Sequence, residues 1–259
     1  MKNMRVWIVT ALCVCGAQAS AFTTIGTKWG MGPNFATPLA GFEGTPGFFT
    51  WSVMGAGLPV VVGSDLHEDG LSTPFGSLLG GAGMTEEMEA IGMALTKWSS
   101  VAGIGFVFVE DGGAPGGGLE AVGGHLGDMR FGAYDEFPST VLAHAFGPGT
   151  ETMFGPGGTI RGDIHMNSSK LWVDDPFDPE GGPYDLQTVL IHEIGHALGL
   201  GHTTVPGSVM GAEYIGGNRT LGHDDIEGIR HIYGPVPEPS TIAVIGLGAL
   251  LLRRRRRAR

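Results

Sequence analysis

The chain has 259 residues, 42% of them apolar, which is enough for one sizeable core or two small ones. Its 47 glycines and 16 prolines make up about 24% of the chain, just below the range of compositionally disordered sequences, so a loop-rich globular domain with short elements is expected. Setting aside the basic residues of the two termini leaves seven basic against twenty-five acidic residues, a net charge near −18, which argues against a nucleic-acid partner.

The chain opens with "MKNMRVWIVTALCVCGAQASAF": Lys2 and Arg5, an apolar run, then Ala17-Gln18-Ala19 and Ala19-Ser20-Ala21, either of which fits an A-x-A cleavage site. That is the pattern of a secretory signal peptide over residues 1–21. Cys13 and Cys15 are the only cysteines, so the domain that follows would be exported without disulfides. Residues 22–46 are punctuated by Gly and Pro and predict an extended lead-in. "GFFTWSVM" (47–54) predicts a first strand, and "SDLHEDG" and "GSLLGGAG" predict loops.

"MTEEMEAIGMALTKWSS" predicts a helix with Thr85 as its cap, Glu86, Glu87 and Glu89 favoured by its N-terminal dipole, and an apolar face of Met88, Ile91, Leu95 and Trp98. "IGFVFVE" (104–110) reads as a buried strand, "GDMRFGAY" as another and "GTIRGDIHMN" as a third. "DLQTVLIHEIGHALG" predicts a second helix capped by Asp185. "DDIEGIRHIYG" predicts a third, with Ile226, Ile229 and Tyr233 inward and Gly234 as its stop. Strand, helix, strands, helix, loop, helix makes an α+β domain with one mixed sheet and helices packed against it.

In "VLIHEIGHALGLGHTTVPGSVM" (189–210), His192 and His196 stand one helical turn apart and point the same way. Gly199 can end the helix in a left-handed conformation, so that His202 returns from another direction. Three nitrogen donors leave a fourth tetrahedral position for water, the layout of a catalytic zinc site. Glu193 projects about 100° around the helix from His192 and can act as general base without binding the metal. Zinc in such a site lowers the pKa of its water toward ~7, and Glu193 can take that water's proton and later deliver it to a leaving amine.

The full H-E-x-x-H-x-x-G-x-x-H pattern is the metzincin signature. With Met210 in "SVMGAEY", Tyr214 four residues on, and "WSSVAGIGFVFVE", "MRFGAY", "VLAHAFGP", "GDIHMNSSKLW" and "LGHDDIEGIRHIYG" in the same order, residues 46–234 resemble a bacterial matrixin. The resemblance implies a zincin fold with a mixed twisted sheet, an active-site helix and a C-terminal helix. It places a Met-turn at Met210 and a sheet edge at Val141, Leu142 and Ala143, along which an extended peptide adds as a strand. It also puts a pocket for the residue after the cut beside Tyr214.

It further implies a second, structural zinc. His144 and His165 match two of its ligands, and Asp135 a third, while Ala133 stands where the family has a histidine. The two histidines are either ligands or ordinary sheet residues. Asn167 and Lys170 replace acidic calcium ligands, which leaves the loop "DDPFDPEGG" as a Ca2+ candidate. His67, His125, His223 and His231 read as solvated or loop residues.

"VPEPSTIAVIGLGALLLRRRRRAR" closes the chain. Its apolar stretch would rise about 18–20 Å as a helix, short of a comfortable bilayer crossing, with the arginines on the cytoplasmic side. Pro237-Glu238-Pro239, the apolar segment and the arginines resemble a PEP-CTERM sorting signal of Gram-negative bacteria, implying exosortase processing and transient membrane association. The expected division is thus signal 1–21, peptidase domain 22–235 and sorting tail 236–259. An exported zinc endopeptidase of the envelope or extracellular space is expected. The other reading is a catalytically silent adhesive or structural envelope protein of the same fold, in which Glu193 would have no task.

Overall fold

The computed structural model describes residues 21–30, 36–59, 70–81, 84–115, 127–135, 140–149, 160–177 and 183–237. Residues 1–20 of the expected signal 1–21, His67, His125 and the tail from 238 onward lie outside them, as do parts of the loops 64–70 and 174–182.

The lead-in is not merely extended. β1 (Thr27–Trp29) and β2 (Ala36–Pro38) pair antiparallel, because Trp29 and Lys28 bury completely and carry the chain into the core. A five-stranded mixed sheet follows, in the order β4-β3-β5-β7-β6. β3 is Gly47–Val53, β4 Ile104–Phe108, β5 Met129–Tyr134, β6 Ala143–Ala145 and β7 Ile164–Asn167. β3, β4, β5 and β7 are mutually parallel, and β6 runs antiparallel along β7. A two-stranded parallel pair, β8 (Trp172–Val173) with β9 (Tyr184–Asp185), leads into the second helix.

β4 is an edge strand and not a buried one: Val107 and Phe108 are exposed, since only one of its sides finds a partner. β5 is central and buried along its whole length. Met129, Phe131 and Ala133 join the apolar core, with Trp51, Ile164 and Met166 beside them in register. Alternation sends the next residues to the opposite face, where Ser52, Arg130, Gly132, His165 and His144 line up across four strands.

α1 (Thr85–Ser99) and α2 (Leu186–Ala197) pack on each other and on the sheet. Ile91, Leu95 and Trp98 bury as the spacing predicts, with Met88 at the rim. Thr85 is not the cap: it is already helical, Met84 holds the capping position, and no side chain caps it. Glu87 is buried and accepts a hydrogen bond from Leu79 N at 3.0 Å, fastening the 3-10 turn Phe75–Ser77 to the helix. α3 (His223–Tyr233) buries Ile229, Ile232 and Tyr233 and stops at Gly234 with φ 74°. Ile226 sits at the rim, because Asp225 faces inward and carries the 225, 229, 232 stripe to the core.

Candidate active site

α2 starts at Asp185, whose carboxylate accepts Thr188 N at 3.1 Å, satisfying one of the helix's free donors. Its end is a Schellman motif: Leu200 N donates to Gly195 O and Gly199 N to His196 O, with Gly199 at φ 109°. The remaining carbonyls are taken by distant groups. Trp29 Nε1 donates to Ala197 O at 2.8 Å, Tyr233 Oη to Leu198 O at 2.8 Å and Ile25 N to Gly199 O at 2.9 Å. The turn that returns His202 is therefore held from three sides.

The Nε2 atoms of His192, His196 and His202 lie 3.0, 3.1 and 3.3 Å from one another. Among the described residues no other His, Cys, Asp or Glu trio brings its ligand atoms together. His192 Nδ1 donates to Val209 O at 2.7 Å and His196 Nδ1 to Leu200 O at 2.8 Å. A carbonyl can only accept, so both rings carry their proton on Nδ1 and present a bare lone pair at Nε2. Burial lowers the pKa of both, that of His196 to about 4 with His192 adding to the effect, so they are neutral near pH 7. Bare lone pairs at such distances repel unless a cation lies between them. Tetrahedral zinc with Zn–N near 2.0–2.1 Å would hold its nitrogens about 3.3 Å apart, and this donor set fits it.

Glu193 is 5% exposed, its Oε2 has no hydrogen-bond partner among the described residues, and burial pushes its carboxyl up to about 8. Met210 is buried under the helix, its Sδ pressed so near Gly195 that a Cβ there would lie 2.3 Å from it. The sequence reading missed Asp225. Its carboxylate accepts Val209 N at 2.9 Å, Gly222 N at 2.7 Å and the Ser208 hydroxyl, so α3 fixes the carbonyl that orients His192. The doubled aspartate opening an amphipathic helix was the available signal.

Tyr214 is half-buried, its hydroxyl accepting Asp185 N at 3.1 Å and its ring edge-on to Tyr184 at 5.3 Å. At the sheet edge, Val141 O accepts Asn167 Nδ2 at 2.7 Å and Leu142 O accepts Asn167 N at 2.9 Å, so both carbonyls turn inward. Ladder alternation leaves Ala143, and with it Ala145, to present backbone groups outward.

His144 and His165 are cross-strand partners with ring centroids 5.2 Å apart, and burial beside His165 lowers His144 to about 3. Asp135 is exposed beyond the end of β5 and does not join them. Ala133 faces the opposite, apolar side of β5, so a histidine there would not reach them either. The face that carries His144 and His165 instead holds a buried ionic group: Arg130 donates to Asp111 through Nε at 2.9 Å and Nη2 at 3.0 Å, and lies 3.7 Å from Asp163. In the calcium-candidate loop, Asp174 binds Arg219 at 2.6 Å and Asp175 accepts Phe177 N. Asn167 is buried in hydrogen bonds, while His223 and His231 are exposed as expected.

Residues 82–234 match the Matrixin family. The chain belongs to the matrixin family. Residues 235–257 match the PEP-CTERM protein-sorting motif, which marks export to the cell envelope or beyond in bacteria. This matrixin is 38% identical over 151 residues to the interstitial collagenase of Sus scrofa, covering 58% of this chain and 29% of that protein. It is 32% identical over 161 residues to Metalloendoproteinase 2-MMP of Arabidopsis thaliana, 60% of this chain and 39% of that protein. A probable matrix metalloproteinase of Invertebrate iridescent virus 3 is 40% identical over 106 residues, 41% of this chain and 27% of that protein. The match thus spans under a third of the collagenase.

Proposed function

We infer that this matrixin is an exported zinc-dependent endopeptidase with Glu193 as general base. The reading rests on one observation above all: three imidazole Nε2 atoms converge while the Nδ1 protons of His192 and His196 are committed to carbonyls, with Glu193 Oε2, unpartnered among the described residues, on the same helix. His192, His196 and His202 would hold the zinc. When bound, it supplies a Lewis acid for the scissile carbonyl and lowers the pKa of water.

The chain's own residues do the rest. Ala143 and Ala145 offer outward backbone groups to an extended peptide, which adds to β6 as a further strand. Glu193 takes a proton from the attacking water at Oε2 and returns it to the departing amine nitrogen. Burial alone raises the Glu193 carboxyl to about 8, and the charge of a bound zinc would lower it again, which leaves the carboxylate ionised to take that proton. Asp225 and Val209 hold His192 in register, and Met210 closes the floor. The tail would be processed by an exosortase after transient membrane association, with the domain acting at the envelope or outside, in a chain divided into signal 1–21, peptidase domain 22–235 and sorting tail 236–259.

The test compares digestion of casein, gelatin and a peptide library by wild type, chelator-treated protein and Glu193→Gln. Chelation abolishes activity and zinc restores it. The substitution lowers kcat by about 10²–10⁴-fold with zinc content retained. A folded, zinc-loaded wild type that cleaves nothing sinks the peptidase reading and favours the adhesive one.

A further inference from the structure

Thr188, His192 and His196 follow one another at four-residue spacing and so form a single stripe along α2. The segment 209–219 is tied to that stripe twice. Val209 O accepts His192 Nδ1 at 2.7 Å, and Asn218 N donates to Thr188 Oγ1 at 2.9 Å. The two ties are one helical turn apart, about 6 Å along the axis. The segment between them is a lobe standing beside the metal-binding face, with Tyr214 folded inward on Asp185 N and Tyr184.

The far end of this lobe is closed by Arg219. Its Nε donates to Asp185 Oδ2 at 2.8 Å, Nη2 donates to Asp185 Oδ1, and Nη2 also donates to Asp174 Oδ1 at 2.6 Å. The Asp185 side chain is fully buried, Arg219 is 20% exposed and Asp174 43%. One guanidinium therefore joins the α2 cap, the 174–177 segment and the lobe. Backbones meet at the same junction: a Cβ on Gly217 would lie 2.3 Å from Pro176 O. Without the guanidinium, two carboxylates face each other across that junction, one of them out of water. A planar fork that binds one carboxylate at two points and a second at a third contact is what arginine offers and lysine does not.

The geometry points to Arg219 as a positioning residue that holds the 214–219 wall closed beside the metal face and thereby restricts the side chain accepted after the scissile bond. This rests on the peptidase reading above. The clamp acts on the cleft wall and not on the histidines, so its loss relaxes selectivity without removing the metal.

The experiment uses the full chain and peptides with Ala, Leu, Phe or Trp directly after the cleaved bond. Arg219→Met raises the Trp-to-Ala ratio of kcat/KM by about five-fold or more, within the range a pocket wall can command, and does so through KM of the bulky peptides. Zinc per chain stays as in wild type. Asp174→Asn, which leaves the Asp185 cap intact, moves the ratio the same way by less, and Arg219→Lys does not restore it. A ratio unchanged in Asp174→Asn and Arg219→Met, or an equal fall for all four peptides, overturns the proposal. If Arg219→Met does not fold, Asp174→Asn decides alone.

Amide exchange separates this from the peptidase reading. Asn218 N–H exchanges about ten-fold faster in the clamp variants, while Thr188 N–H, capped by Asp185, keeps its rate. Unchanged exchange at Asn218 overturns the clamp even where wild type cleaves no peptide. Faster exchange with an inactive wild type keeps the clamp and discards the peptidase.

Discussion

Gly195→Ala sets two effects against each other within the helix that carries His192 and His196. In a helix interior alanine is favoured over glycine by about 1 kcal/mol, so propensity alone predicts stabilisation. The added Cβ, however, would lie 2.3 Å from Met210 Sδ and 3.0 Å from both Met210 Cε and Trp98 Cζ2. Met210 is flexible and could swing away, but Trp98 cannot follow. It is fully buried and its Nε1 is bonded to Ile191 O at 3.0 Å, on the helix that carries the new methyl. Overpacking of this kind costs about 1–3 kcal/mol, so the expected net change is a loss of up to about 2 kcal/mol. Displacing Met210 also drags Val209, whose carbonyl orients His192, so zinc affinity falls as well.

Urea unfolding of the metal-free protein and zinc competition against a chromophoric chelator read the two effects separately. Met210→Ala alone costs about 2–5 kcal/mol. In combination with Gly195→Ala it should cost about 1 kcal/mol or more less than the sum, because the methyl then has room. A Gly195→Ala protein as stable as wild type, with unaltered zinc affinity, would show that propensity decides and that the close packing under the helix is immaterial.

Gly199→Ala forces a side chain into φ 109° and puts its Cβ 2.7 Å from Thr27 O, which is backbone and cannot rotate away. A loss of at least about 2 kcal/mol in urea unfolding is expected, and a midpoint equal to wild type contradicts the account of the turn. Arg130→Met leaves Asp111 and Asp163 buried without their cation and costs about 3–5 kcal/mol, again read by urea. Burial pushes the Asp111 carboxyl up, but Arg130, Ser52 and Gly113 outweigh it and hold it below its usual 3.8. A carboxylate lowered on folding contributes stability above its unfolded pKa and loses it as pH falls through the folded one. Wild type therefore loses that contribution below about pH 4, and the Arg130→Met difference narrows there, which thermal melts across pH 2–6 would show. Zinc analysis should give about one ion per chain, unchanged in His144→Ala; two ions in wild type and one in the variant would restore the second site.

What could be read from the sequence is what local spacing enforces. The two helical histidines, the glutamate beside them, Asp185 as cap, and Gly199 and Gly234 as stops each depend on neighbours within a turn or two, and each stands where the pattern put it. Arg130, Asp111, Asp225 and Arg219 were not read, because their roles are made by partners far along the chain. Asp111 meets Arg130 across 19 residues and Arg219 meets Asp185 across 34. A lone arginine in an apolar strand carries no local mark of the acid that will face it. The misreading of β4 has the same origin: hydrophobic content shows that a strand can be buried, while its place at the sheet edge is a property of topology.

The two kinds of information meet at His192. Its place on the helix face follows from sequence spacing, but the direction of its lone pair follows from Val209 O, and Val209 is held by Asp225 from another helix. A donor set at ligand distance needs both, since a ring free to rotate about its side-chain torsions would spend little time aimed at a common point. The signature thus specifies which atoms can bind a metal, and the long-range carboxylate specifies that they are already aimed before it arrives. Asp225→Asn tests that division directly. It removes the charge on the acceptor of Val209 N and Ser208 Oγ while leaving every ligand in place, and the aim of His192 predicts weaker zinc binding with the metal-free secondary structure retained. Zinc affinity equal to wild type in a folded Asp225→Asn protein would mean that the helix alone aims the ligands.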